Sequence, residues 1–171
     1  YSSIAHAGYL FYAFLGDGPG RLQAVVVYLL AYGLLNVLAF ASIPPNDDDT
    51  TRDRLDTLRG LFHRDPYAAV MIGIAMLSLA GIPPFPGFVA KFLIFKNVIA
   101  AGYTLYAVLG LVGSYLGIYF YLRVIQMMFM SPEADTGTRV AHGRAALAAS
   151  VLCLAPTIAI AVFPGWIFGR F

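Results

Sequence analysis

Apolar runs long enough to cross a bilayer recur along this sequence, and that recurrence constrains the fold more than any motif does. Leu22 to Ile43 is 22 residues without a charge, and a helix needs about 20 to cross the hydrocarbon core. All nine acidic residues, Asp17, Asp47, Asp48, Asp49, Asp53, Asp56, Asp65, Glu133 and Asp135, fall between such runs. Inside lipid every backbone polar group needs an internal partner, so the fold class is all-α, a polytopic transmembrane helical bundle. Only 12% of the 171 residues are charged, about half the share in soluble chains. The net charge of +2 is too small to imply a nucleic-acid partner. A single cysteine, Cys153, excludes an intrachain disulfide.

The runs read as one membrane domain over 1–171, with spans at 22–43, 66–82, 85–101, 103–130 and 145–163 and part of a sixth at 1–15. Tyr1 to Leu15 is shorter than a span, has no charged region before it and does not begin with methionine. Residues upstream, a missing N-terminal part of the same protein, are therefore expected. Turn signals punctuate the series: Gly16-Asp17-Gly18-Pro19-Gly20, Pro44-Pro45 and Gly102. Asp65-Pro66 reads as a helix cap and first helical residue. Pro156 is expected to kink the last span, and Trp166 to anchor its end at the interface. The polar stretch Asn46 to Arg64 is the one substantial loop. Alternation through the spans puts Arg52, Arg54, Arg59, Arg64 and Arg170 on one side, with Arg21, Arg139 and Arg144 on the other. Counted that way, the long loop is cytoplasmic.

One run breaks in mid-course. From Ser78 the chain reads Leu79-Ala80-Gly81-Ile82-Pro83-Pro84-Phe85-Pro86-Gly87-Phe88-Val89-Ala90-Lys91-Phe92. Gly81, Pro83, Pro84, Pro86 and Gly87 form a helix break, because proline lacks a backbone donor and bars helical geometry to the residue before it. Lys91 follows within an apolar stretch. An ionisable residue at membrane depth points first to function, and beside freed carbonyls it points to a hydrated, protein-lined site. The competing reading is a turn between two spans with Lys91 snorkelling to the interface. No carboxylate shares the spans, so an amine here is neutral, reaches water, or finds its partner outside this chain. Each arrangement makes its charge switchable, as a proton carrier requires.

Other polar positions carry weaker signals. His6 lies among Ser2, Ser3 and Tyr9 and is either a proton relay or a hydrogen-bonded member of a wet seam. Tyr28, Tyr32 and Asn36 stand four apart on one helix face. Lys96 is about 140° around a helix from Lys91 and serves packing or anchoring more readily than transfer. Gly113-Ser114-Tyr115-Leu116-Gly117 is a small-residue crossing pattern, and Arg123 with Tyr119 and Tyr121 reads as an interface anchor. Phosphate loops, CxxC, HExxH and glycine fingerprints are absent, so no cofactor or metal is expected in this chain.

Three stretches carry a family resemblance: Tyr1-Ser2-Ser3-Ile4-Ala5-His6-Ala7-Gly8-Tyr9, Tyr28-Leu29-Leu30-Ala31-Tyr32-Gly33-Leu34-Leu35-Asn36, and Leu77 to Phe92 with its Gly-Phe-Val-Ala-Lys-Phe ending. Together they resemble the antiporter-like membrane subunits of respiratory complex I, and among these the subunit N family. The resemblance implies the second of two inverted repeats, with a discontinuous helix near 81–91 and Lys91 as its buried lysine, at the outlet end of a proton path. It implies a non-redox, proton-translocating subunit of NADH:quinone oxidoreductase, in a bacterial plasma membrane or mitochondrial inner membrane. Its partners would be the other membrane subunits, the missing N-terminal part and the lipid bilayer. FMN, iron–sulfur clusters, NADH and quinone would be handled elsewhere in the complex. The proton path would comprise Lys91, His6, Tyr28, Tyr32, Asn36 and Lys96. Sister subunits carry two histidines and a lysine where Tyr28, Tyr32 and Asn36 stand. The resemblance also implies an outer position for the Asn46–Arg64 loop, against the arginine count. The alternative function is a subunit of a multi-subunit sodium/proton antiporter.

Overall fold

A computed structural model describes residues 2–44, 55–130 and 144–162. Asp47, Asp48, Asp49, the 131–143 stretch and Trp166 lie outside the described residues. Within those described, the order is α1 (Ser2–Ala13), α2 (Pro19–Ala41), a 3₁₀ turn (Leu55–Leu58), α3 (Leu61–Arg64), α4 (Pro66–Ala80), α5 (Pro86–Ala100), α6 (Thr104–Met130) and α7 (Arg144–Val162). No strand occurs among them. Two helices, 20–41 and 104–130, are each long and apolar enough to cross a membrane unaided.

Local chemistry explains the boundaries. Pro66 opens α4, and the Asp65 side chain accepts from the Ala68 amide at 3.0 Å. Proline loses nothing at a first helical position, and the carboxylate occupies one of the amides that a helix start leaves unpaired. Gly81 ends α4 with φ +86°, a left-handed geometry that favours glycine. Pro86 restarts the helix after Phe85 in extended conformation. The Pro83–Pro84 peptide is cis.

The arrangement of α4 and α5 follows from what each touches along α6. Ala68, Ala69 and Ile72 pack with Met128, and Leu79 and Ala80 with Tyr121. Lys91 reaches Ser114, and Phe95 lies against Gly110. Partners on α6 therefore step backwards from 128 to 110 as the chain advances from 68 to 95. The stretches expected as two spans, 66–82 and 85–101, thus lie end to end as two halves of one discontinuous helix antiparallel to α6. Against α2 the same order holds: Ala75 meets Leu38 and Ala39, Leu79 meets Leu35, and Ala90 and Ile94 join the cluster of Ala24, Val27 and Tyr28. One consequence is topological. The end of α6 returns to the level of α3, with Gly60 donating to the Met127 carbonyl at 3.0 Å. Early in α7, Ser150 bonds Tyr67 at 2.6 Å. The end of α6 and the early part of α7 therefore lie at the same end of the bundle as α3 and the start of α4, where six alternating spans would put them at the opposite end.

Apolar side chains cover the outer face of α6, with Leu105, Leu109, Leu111, Tyr115, Leu116 and Tyr119 all exposed. The inner faces of α1, α2 and α5 bury Tyr9, Tyr28, Ala31, Ala90, Leu93 and Ile94. The core that positions the break is thus an α1–α2–α5 cluster on one side and α6 on the other.

Candidate functional site at the helix break

Hydrogen-bond accounting at the end of α4 leads to Lys91. In a continuous helix the carbonyl of residue i accepts from the amide of i+4. The Leu77 and Ser78 carbonyls are taken by the amides of Ile82 and Gly81, at 3.2 and 2.9 Å. Those of Leu79 and Ala80 would look to positions 83 and 84, which are both proline and have no amide hydrogen. Lys91 supplies the missing donors, with its Nζ 3.0 Å from the Leu79 oxygen and 3.1 Å from that of Ala80. A third bond goes to Ser114 Oγ on α6 at 3.1 Å. Three acceptors match the three donors of an ammonium, and none of them is a carboxylate. Nζ also stands 5.1 Å from the centroid of the Tyr9 ring, within cation–π range.

Position in the helix makes this reach possible. Side chains on a helix tilt toward its N-terminus, so Lys91, in the second turn of α5, points back across the break at the end of α4. A cation there also faces the negative end of the α4 dipole. Its residue is 7% exposed. Gly87 sets the distance between the halves. Its amide donates to Ser78 Oγ at 3.1 Å, and a Cβ at that position would overlap the Ser78 carbonyl oxygen.

A second cluster centres on His6, which is 4% exposed. Its Nδ1 is 2.6 Å from the Tyr28 hydroxyl and its Nε2 is 3.0 Å from the Tyr121 hydroxyl. Tyr32 stacks on the imidazole at 4.4 Å between ring centroids. Ser2 Oγ meets the Tyr121 hydroxyl at 2.7 Å. In a neutral imidazole one ring nitrogen donates and the other accepts, so this chain of hydroxyls and ring can hold a proton in either tautomer.

Two spaces adjoin these groups. A cavity of about 170 Å³ between α1 and α6 is lined by Ser2, Tyr9, Lys91, Ser114 and Tyr121 among others. A small pocket of about 10 Å³ lies between His6, Tyr28 and Tyr32 on one side and Leu79 and Gly87 on the other.

The break residues Gly81, Pro83, Pro84, Pro86 and Gly87 and the residues Lys91, His6, Tyr28 and Tyr32 meet in one region. Asn36 does not join them, since its side chain donates to the Tyr32 carbonyl of its own helix at 2.8 Å. Lys96 is exposed on the outer side of α5. Two contributors were missed in the sequence. Ser114 reads there as part of a packing motif and Tyr121 as an interface anchor. The available signal is their spacing: seven residues is close to two turns, so both occupy one stripe of the helix.

Comparison with known proteins agrees along nearly the whole chain. Residues 1–117 match the family described as NADH:quinone oxidoreductase/Mrp antiporter, TM. NADH-quinone oxidoreductase subunit N of Pelobacter propionicus is 42% identical over 95% of this chain and 35% of its own length. The same subunit of Geobacter metallireducens is 37% identical over 98% of this chain and 36% of its length. Among solved structures, a chain of respiratory complex I from Thermus thermophilus with bound aureothin superposes with a TM-score of 0.74 at 36% identity, over 96% of this chain and 37% of that one. The chain thus spans about a third of the length of the relatives it matches.

Proposed function

Because the chain belongs to the NADH:quinone oxidoreductase/Mrp antiporter transmembrane family, we propose that it is part of a proton-translocating membrane subunit of an NADH:quinone oxidoreductase. It is an integral membrane protein. The relatives quoted above carry the oxidoreductase name, which favours this reading over a free-standing sodium/proton antiporter. The subunit carries out no redox chemistry itself, and NADH, FMN, iron–sulfur clusters and quinone belong to other parts of the complex. Its partners are the other membrane subunits, the rest of its own chain and lipid. In this reading α4 and α5 form a single crossing interrupted at its middle.

The observation that carries the proposal is the Lys91 cradle. The ammonium is held by two carbonyls that Pro83 and Pro84 leave without amides, and by one serine hydroxyl. Neutral acceptors stabilise the cation without fixing it, as a carboxylate would. Lys91 can therefore lose its proton when charge elsewhere in the complex changes. Water then serves the two carbonyls from the adjoining cavity. His6 with Tyr28 and Tyr32 forms the neighbouring part of the path.

The test compares Lys91→Ala with Lys91→Arg in the assembled complex, reconstituted in vesicles. Arginine keeps the cation but does not deprotonate, since its pKa exceeds about 12. Both variants are expected to assemble and to lower the protons moved per electron. Normal coupling in Lys91→Arg would reduce Lys91 to a structural cation.

A further inference from the structure

Among the described residues no hydrogen bond joins the two clusters: the bonds of Lys91 go to Leu79, Ala80 and Ser114, and those of His6 to Tyr28 and Tyr121, while the Tyr9 ring lies against both. We propose that Tyr121, on α6, is the proton-relay residue that joins them, through water in the α1–α6 cavity. This rests on the proton-translocating reading above.

Among the described residues, Tyr121 alone both hydrogen-bonds the imidazole of His6 and lines the cavity that Lys91 lines. It is 8% exposed, and its ring packs with Leu35, Leu79 and Ala80, so the hydroxyl is held in place by both halves of the site. Ser2 Oγ, 2.7 Å away, holds it from the other side. At about 170 Å³ the cavity has room for several waters. Lys91, Ser114, Ser2, Tyr9 and Tyr121, among otherwise apolar lining residues, carry the polar groups that such waters need. Gly113 and Gly117 lie on the same wall, and a Cβ at either would meet no atom within 4 Å.

The transfer balances as follows. Lys91 gives a proton to a cavity water, and that water passes one of its protons to the Tyr121 oxygen. Tyr121 in the same step gives its own proton to Nε2 of His6. Water and tyrosine end as they began. Lys91 is left as the neutral amine and His6 as imidazolium, donating to Tyr28 through Nδ1 and to Tyr121 through Nε2. The reverse sequence recharges the lysine. Tyr121 never carries a net charge, so it suits an apolar site.

Tyr121→Phe removes the hydroxyl and keeps the ring. In the full-length subunit within its assembled complex, protons moved per electron should fall as far as in Lys91→Ala, while NADH oxidation by a soluble artificial acceptor stays unchanged. Gly117→Leu is the second variant. It fills the cavity and leaves Tyr121 intact, and it should give the same loss, with assembly confirmed by native electrophoresis. A purely structural tyrosine would tolerate both. Normal coupling in Tyr121→Phe or in Gly117→Leu, alongside a loss in Lys91→Ala, overturns the relay and leaves the proposed function standing. Normal coupling in Lys91→Ala as well overturns both.

Discussion

Among the described residues, proline interrupts the helical hydrogen-bond ladder at the α4–α5 break and inside α7, with different results. Between α4 and α5 the helix stops, turns and restarts. In α7, Pro156 lies inside Arg144–Val162 and the helix continues through it. One proline removes one donor, and the carbonyl of Leu152 alone loses its i+4 partner. A hydroxyl of the same helix stands close by, with Thr157 donating to the Cys153 carbonyl at 2.7 Å. At the break, two adjacent carbonyls lose their partners together, and Gly81 in left-handed geometry turns the chain away. Their replacement donor comes from another turn, bears a titratable charge and adjoins a cavity. A proline in a membrane helix therefore marks a functional candidate when it leaves carbonyls to a titratable ammonium. Where a single carbonyl is freed and the helix runs on, it marks only a local adjustment.

The largest effect should come from closing the gap between the two halves of the discontinuous helix. Gly87→Ala places a methyl group on the Ser78 carbonyl oxygen, which is backbone and has no rotamer to change. The halves must separate or α5 must rotate, and either moves Lys91 off its carbonyls. Forced overpacking costs about 1–3 kcal/mol or more. The expected outcome is a severe loss of assembled complex in membranes, read by native electrophoresis. Normal assembly together with normal coupling would show that the halves are not held at this spacing in the membrane.

How much of this contrast is legible in sequence depends on its range. Pro83 and Pro84 identify the break, and the glycines at 81 and 87 bound it, because these are local backbone rules. The same rules place Pro156, but they do not say whether the helix survives it, since that depends on neighbours. The end-to-end relation of the two halves is not local. A turn between antiparallel spans and a break within one helix use the same residues, and only contacts along α6 and α2 separate them. Lys91 stands out as a charge among apolar residues, and the resemblance assigned it a role. Ser114, its partner on α6, and Tyr121, the partner of His6, do not stand out, because a serine beside glycines and a tyrosine near an arginine have ordinary structural uses. Asn36 shares a face with Tyr28 and Tyr32, yet it turns its side chain back to its own helix, an outcome that spacing alone does not reveal.

A smaller effect should come from the start of the first half. Asp65 is buried and caps α4 through the Ala68 amide. Asp65→Ala removes the cap at a cost of about 1 kcal/mol, whereas Asp65→Asn keeps an acceptor and should recover most of it. The measurement is the midpoint of heat-induced loss of the subunit from purified complex. Coupling should hold in the protein that remains, since the carbonyls that Lys91 serves lie at the opposite end of α4. If Asp65→Ala uncouples without destabilising, the capping account of this end is wrong.

The smallest effect belongs to the second proline site, and it tests whether that site is only structural. Thr157→Val replaces a hydroxyl with a methyl of nearly the same size, so packing around the buried side chain is kept. What is lost is one hydrogen bond to a carbonyl of the same helix. Side-chain hydrogen bonds within membrane proteins average about 0.6 kcal/mol, and the Cys153 carbonyl keeps its backbone partner, because residue 157 has an amide. Thr157→Val should therefore shift the heat midpoint slightly, less than Asp65→Ala does, and leave protons per electron unchanged. A loss of coupling comparable to that of Lys91→Ala would mean that the hydroxyl next to Pro156 also serves the proton path. The two prolines would then no longer separate a functional site from a structural one.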